Sequence, residues 1–146
     1  PLAKNQRSPD GRNGTKCYQP VGESNQVEQC QVSFYKLVAN PQEYHGRRIE
    51  VVGFLAQVFD AMVLYPNEES FKHGIEIEGV EIIEPAAFSK KLKDLAKKGY
   101  SGTFVIGTFD ANYIGIGSPR LGAIRNLKFA EKIPQPILDR SRNWPE

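Results

Sequence analysis

Two histidines, His45 and His73, are the residues of this chain best suited to acid-base chemistry, because imidazole changes its charge near neutral pH. Neither stands in a recognised pattern with the serine, cysteine or carboxylate that would complete a nucleophilic site. Isolated histidines in turns are usually solvent-exposed side chains without a catalytic role. The sequence therefore predicts no enzyme activity, no catalytic residue and no cofactor.

A group of carboxylates in the middle of the chain is the second candidate for chemistry. Paired carboxylates can hydrolyse glycosidic bonds or hold a divalent cation. Here Glu76 and Glu78 alternate with Ile75 and Ile77, which is the pattern of a strand with one wet face. We therefore expect solvated acids and no metal site. The group comprises Glu68, Glu69, Glu76, Glu78, Glu81 and Glu84.

The only cysteines, Cys17 and Cys30, are separated by a polar, loop-like segment. They are either two free thiols or, in the interpretation we favour, a disulfide that fastens a flexible leader to the domain. A zinc site that combined them with His45 and His73 would match no known ligand spacing. Because disulfides persist in oxidising compartments, the favoured interpretation predicts an exported protein, periplasmic or envelope-associated.

The hydrophobic pattern predicts five strands and one long helix after residue 30. Both faces of the first strand are apolar and Gly53 lies between them, which is typical of a barrel strand that bends to serve both halves of a sheet. A short helix capped by Ser33 precedes it. The strands are expected at residues 48–59, 62–65, 74–83, 102–110 and 121–130, and the long helix at residues 85–98.

Three strands, a helix and two further strands are the element order of the OB-fold. We therefore predict an all-β domain with one helix: a five-stranded, OB-fold-like Greek-key barrel with the helix between strands three and four. The predicted organisation is a flexible leader at residues 1–30, the barrel at 31–133 and a Pro-rich tail at 134–146.

The run SFYKLVANPQEYHGRRIEVVGFL, together with Gly107-Thr108-Phe109-Asp110 and the glycine-rich segment that follows, resembles uncharacterised bacterial OB-fold proteins, loosely the tRNA-anti-like group. The resemblance covers residues 32–129. It rests on structural glycines and core positions, so it implies the fold and carries over no functional residue. The glycines of residues 115–118 lack the lysine and the helix start of a phosphate loop and suit a tight hairpin loop.

An OB barrel usually binds single-stranded nucleic acid across strands two and three, and Tyr65 and Phe71 could stack on bases there. The expected charge of that face opposes this, because glutamates line it while the lysines lie on the long helix. The net charge of +2 is too small to indicate a polyanionic partner. We therefore expect a protein or peptide partner that is basic, and keep single-stranded nucleic-acid binding as the alternative.

The sequence thus predicts a non-catalytic OB-fold binding module of the bacterial envelope: an inhibitor, an immunity protein against a secreted toxin, or an accessory subunit. No apolar run is long enough to cross a membrane. The expected partner contacts come from the OB geometry. They are Tyr65, Glu68, Glu69, Phe71, Glu76, Glu78, Tyr113 and Arg120.

Overall fold

The computed structural model describes residues 15–22, 27–83, 85–115 and 119–133. Within these ranges the chain is mostly β-structure, and seven strands belong to one sheet. The strands are β1 (Thr15–Tyr18), β2 (Gln29–Val32), β3 (Arg48–Val58), β4 (Ala61–Tyr65), β5 (Val80–Ile82), β6 (Thr103–Asp110) and β7 (Gly122–Lys132). The helices are α1 (Phe34–Ala39), α2 (Glu68–Lys72) and α3 (Ala86–Lys98), with 3₁₀ turns at Pro41–Tyr44 and Glu76–Glu78.

Five of the strands close into a barrel, because β3 has two antiparallel partners. Residues 48–53 pair with β6 and residues 54–58 pair with β4. From β4 the sheet continues through β5 to β7, which runs parallel to β5, and β7 pairs with β6. The helix α3 lies between the third and fourth barrel strands in the chain. The predicted OB-fold-like barrel is therefore confirmed.

Gly53 lies where β3 changes its partner from β6 to β4. A Cβ atom on Gly53 would lie 2.5 Å from the carbonyl oxygen of Tyr65 and 3.0 Å from Cε2 of Phe34. A backbone atom cannot give way as a flexible side chain can, so only glycine fits. This close approach is the physical reason for the glycine in the middle of an otherwise apolar strand.

The two apolar faces of β3 serve two separate clusters. Ile49, Val51 and Leu55 point into the barrel and belong to its main core. Phe54 and Ala56 belong to a second, smaller cluster on the other face. The alternation of side chains along a strand explains how one strand supplies both. The core is thus inside the barrel, and an additional apolar layer lies outside it.

The helix α3 packs against β3, β4 and β7. Leu92 and Leu95 are its buried residues, while its lysines face away from them. Gly99 ends the helix with a left-handed backbone, φ 62°, as the sequence predicts. No helix in the described ranges is both long and apolar enough to cross a bilayer.

Part of the predicted leader takes part in the sheet. Strand β1 pairs antiparallel with β2, and β2 runs parallel to the beginning of β3. Cys17 and Cys30 face each other across β1 and β2 and form the predicted disulfide. Residues 1–14 and 23–26 of the leader lie outside the described residues, as does the tail at residues 134–146.

The strand predicted for residues 74–83 is wrong over its first half. There the backbone closes local bonds: Gly79 N donates to the carbonyl of Glu76 at 2.9 Å, and the chain forms a 3₁₀ turn. Ile75 and Ile77 are exposed, so their alternation with glutamates does not mark a buried strand face. The interpretation of Glu76 and Glu78 as the wet face of a strand is therefore wrong as well.

Residues 66–70, between the second and third predicted strands, contain the beginning of α2. The Asn67 side chain accepts a hydrogen bond from Ser70 N at 2.9 Å and caps the helix. Glu68 and Glu69 occupy the first turn, where their negative charges interact favourably with the positive end of the helix dipole. The cap at Asn67 and the acidic first turn explain why a short helix forms directly after β4.

Candidate functional site: the loop-covered face

The contact residues predicted from the sequence gather around one part of the barrel surface. We call it the loop-covered face. It consists of the outward-facing residues of β4 and β5 and of the two segments that contact them, residues 66–79 and residues 111–115 with 119–121. The following contacts define it.

An apolar floor lies at the base of this face. Phe54, Ala56, Val63 and Tyr65 form a buried cluster, and Phe71 of α2 packs against it. The Phe71 ring centroid lies 5.7 Å from that of Phe54 and 5.6 Å from that of Tyr65. The rings expected to stack on a partner therefore pack on each other. Tyr65 in particular is fully buried, so it supports the face from below.

Arg120 joins the two covering segments. Its Nη1 donates to Oε1 of Glu76 at 2.6 Å, and its Nε lies 3.8 Å from Oε1 of Glu81. The Arg120 side chain is only 6% exposed. Its Nε is buried and has no hydrogen-bond partner. A backbone bond from Leu121 N to the Gly79 carbonyl, 2.8 Å long, ties the same segments together. The result is a largely buried guanidinium between two carboxylates.

Tyr65 completes this group from below. Its hydroxyl donates to Oε1 of Glu76 at 3.1 Å. Burial, and then the neighbouring carboxylate of Glu76, raise the pKa of Tyr65 from 10.0 to about 12. The phenol therefore stays protonated and remains a donor to Glu76 at any physiological pH.

Tyr113 makes the equivalent connection on the other covering segment. Burial, followed by its hydrogen bond to Glu81, raises the pKa of its hydroxyl. The guanidinium of Arg125 lies 5.4 Å from the centre of the Tyr113 ring. The same arginine donates from Nε to Asp110 at 2.9 Å, and this bond is the main reason why the pKa of Asp110 is lowered.

The remaining predicted residues lie on α2 and the 3₁₀ turn. Glu68 and Glu69 are exposed, and each has a basic neighbour one helical turn later, at 3.4 Å and 3.9 Å. Glu78 accepts a hydrogen bond from Ser70 Oγ at 2.7 Å. An exposed ion pair such as Glu68–Lys72 contributes little to stability. The carboxylates of both glutamates of α2 remain exposed, so a partner can reach them.

The histidines occupy separate surroundings. His45 Nδ1 accepts a hydrogen bond from Ala111 N at 3.1 Å and lies 3.8 Å from Asp110. His73 Nδ1 lies 3.9 Å from Glu69 on α2. The hydrogen bond from Ala111 N to Nδ1 orients the imidazole of His45 towards the loop after β6. Both histidines thus act in local structure at the edges of the face.

One group of potential metal ligands occurs among the described residues. The ligand atoms of Cys17, Glu28 and Cys30 lie within 4.8 Å of one another. The two sulfur atoms are bonded to each other, however, and a metal requires thiolates. This group consequently has no capacity for zinc while the disulfide is present.

Sequence reasoning missed three partners in the face: Glu81, Asp110 and Arg125. The alternation Val80-Glu81-Ile82 did indicate that Glu81 points away from the barrel core. Nothing in the sequence indicated that Arg120 would be its neighbour. The connection depends on how two distant loops fold over the sheet.

The basic side of the molecule lies elsewhere. Lys90, Lys93 and Lys97 of α3, with Asp94, line a shallow groove of about 420 Å³. Lys91 pairs with Glu131 of β7. These lysines belong to α3, whereas Glu68 and Glu69 belong to α2.

No protein-family model matches the chain, and the search of curated proteins finds no match. The site must therefore be interpreted from its own chemistry.

Proposed function

We propose that this chain is a non-catalytic binding module that holds a basic protein or peptide partner on its loop-covered face. The observation that carries the proposal is the placement of Glu68 and Glu69. They are exposed on α2, which packs through Phe71 on the face where OB barrels commonly bind ligands. Complementary charge steers and selects a basic partner.

The geometry argues against single-stranded nucleic acid at the same place. Such binding needs exposed aromatic rings and cations along the groove. Here Tyr65 and Phe71 pack on each other, and the cation Arg120 is largely buried between carboxylates. The exposed carboxylates of Glu68 and Glu69 would repel phosphates, and the exposed cation Lys72 is paired with Glu68.

The disulfide supports a location in an oxidising compartment, because Cys17 and Cys30 would be reduced in most cytosols. We propose an exported protein of the bacterial envelope. An inhibitor, an immunity protein or an accessory subunit would each use a small, non-catalytic barrel in this way.

The proposal is tested by capture from the source cells. The tagged chain is purified from a nuclease-treated envelope extract, and the retained proteins are identified by mass spectrometry. We expect one protein in stoichiometric amount, released by raised salt because the contact is electrostatic. In parallel, a fluorescent single-stranded oligonucleotide is titrated at physiological salt. Tight oligonucleotide binding together with no retained protein would reverse the assignment.

A further inference from the structure

Among the described residues of the barrel domain, Phe59 is the most exposed large apolar side chain. It is 93% exposed, although it lies next to the buried strands of the sheet. It forms, with Asp60, the turn between β3 and β4, where Val58 pairs with Ala61. A ring exposed to this degree contributes nothing to the core.

The backbone of Phe59 is also strained. Its φ is 56°, in the left-handed region, where a bulky side chain meets steric conflict. Two-residue hairpin turns with this backbone usually carry glycine at that place. Asn126, φ 52°, is the only other non-glycine residue with a positive φ among those described, and asparagine tolerates this conformation. Phe59 is thus both exposed and conformationally unfavourable.

The turn is nevertheless well defined. The side chain of Gln57 donates to the Phe59 carbonyl at 3.1 Å. Val58 and Ala61, on either side of the turn, pack against the apolar floor of the loop-covered face. A fixed turn backbone presents the ring at a defined position, which lowers the cost of ordering the turn when a partner binds.

We propose that Phe59 is the anchor by which this chain inserts into an apolar pocket of its protein partner, with a basic residue of that partner beside Asp60. Strained residues persist where function requires them. Aromatic side chains are enriched in interface cores and dominate binding energies there. This inference rests on the proposed function and deepens it, because it assigns the apolar contact of the same partner.

The charges around the turn favour a protein over a lipid surface. Asp60 is exposed beside the ring, and α2, on the same face of the barrel, begins with Glu68 and Glu69. Inserting the ring into an anionic bilayer would bring these carboxylates towards negative headgroups. A protein pocket with a cationic border satisfies both the ring and the carboxylate.

The test uses the full chain with Phe59→Gly, and Asn126→Gly as the matched control at the other positive-φ position. Glycine relieves the strain, so we expect Phe59→Gly to raise the Tm of the free protein by about 2–5 °C. The same variant should weaken the Kd for the purified captured partner at least about tenfold. Asn126→Gly should leave the Kd unchanged. A variant that is more stable and yet binds worse cannot be explained by damage to the fold.

A photo-crosslinking phenylalanine analogue at position 59 provides the second measurement. We expect it to link the chain to the captured protein in source cells, and the same analogue at the exposed Val21 to give no such product. The linked residues of the partner should be apolar. A crosslink to polar surface residues would contradict an apolar pocket.

Several results would overturn the inference. An unchanged Kd for Phe59→Gly, with binding lost in glutamate variants of α2, would reject the anchor and leave the proposed function intact. A lowered Tm would give Phe59 a structural role instead. Phe59-dependent sedimentation with phosphatidylglycerol vesicles would assign the ring to a membrane, and Phe59-dependent dimerisation in gel filtration would assign it to a second copy. If capture retained no protein, the proposed function and the anchor would fail together.

Discussion

Arg120 and Glu76 form an ion pair of 2.6 Å between the two segments that cover the outer face of the barrel. The guanidinium is almost completely buried, and Glu81 supplies a second carboxylate at 3.8 Å. The fold thus closes the surface on which OB barrels commonly bind ligands with its own loops. The side chains that remain exposed there include the carboxylates of Glu68 and Glu69.

Removal of the buried cation should destabilise the protein. Arg120→Ala leaves Glu76 and Glu81 next to each other without a counter-charge, and we expect a loss of about 2–3 kcal/mol in the free energy of unfolding. Arg125→Ala is the control, because Arg125 pairs with Asp110 but is 44% exposed. It should cost less than about 1 kcal/mol. Urea denaturation measures both, and equal losses would show that the burial of Arg120 has no energetic consequence.

The hydroxyl of Tyr65 should make stability depend on pH at the alkaline end. Its pKa rises from 10.0 in the unfolded chain to about 12 in the fold, so the folded state binds the proton more tightly. This contribution is fully present below pH 10 and is lost as the pH rises through 12. Tyr65→Phe should flatten the decline of stability between these values.

The comparison requires denaturation curves of wild type and Tyr65→Phe at several pH values. Tyr18 and Tyr113 also have raised pKa values and remain in both proteins, so the difference isolates Tyr65. At neutral pH the variant should lose about 1 kcal/mol through the missing bond to Glu76. Identical alkaline slopes would mean that Tyr65 titrates as an exposed phenol.

The disulfide should stabilise the N-terminal part of the sheet. Cys17 and Cys30 are 13 residues apart, and closing a loop of this size restricts the unfolded chain. We expect the variant with both cysteines replaced by alanine to lose about 3 kcal/mol. Hydrogen exchange should increase first in β1 and β2, which the bond joins. Unchanged exchange in these strands would show that their pairing does not depend on the bond.

Gly53 should tolerate no side chain. In Gly53→Ala the new methyl group would meet the backbone oxygen of Tyr65 at 2.5 Å, and β3 or β4 would have to move. We expect a loss of about 2–3 kcal/mol. Val52→Ala, at the neighbouring and partly exposed position, should cost less than about 1 kcal/mol. Thermal unfolding of both variants provides the comparison, and a larger loss for Val52→Ala would contradict the close approach at Gly53.

The barrel could be predicted from the sequence because local patterns specify it. The apolar faces of β3, the central Gly53 and the stripe of α3 ending at Gly99 each have a local physical cause. The 3₁₀ turn at Glu76–Glu78 was mistaken for a strand because isoleucine and glutamate alternate there. A 3₁₀ turn and a half-buried strand differ here in the exposure of Ile75 and Ile77, which the sequence alone does not reveal.

The contacts inside the candidate site were harder to predict from the sequence than the barrel. Arg120 and Glu76 are 44 residues apart in the chain, and no periodic pattern relates them. Their pairing follows only once β5 and β7 lie side by side and bring residue 121 next to Gly79. Phe59 was assigned to the end of the strand at residues 48–59, because phenylalanine is typical of strands and its positive φ cannot be predicted from the residue type.

The most direct test of the central claim is a calorimetric titration of the captured, purified partner with two variants. One carries Glu68→Lys and Glu69→Lys on α2. The other carries Asp94→Lys, an exposed charge reversal on α3. We expect the α2 variant to weaken the Kd at least about tenfold and the α3 variant to leave it unchanged. Equal affinities for wild type and the α2 variant would contradict binding at the loop-covered face.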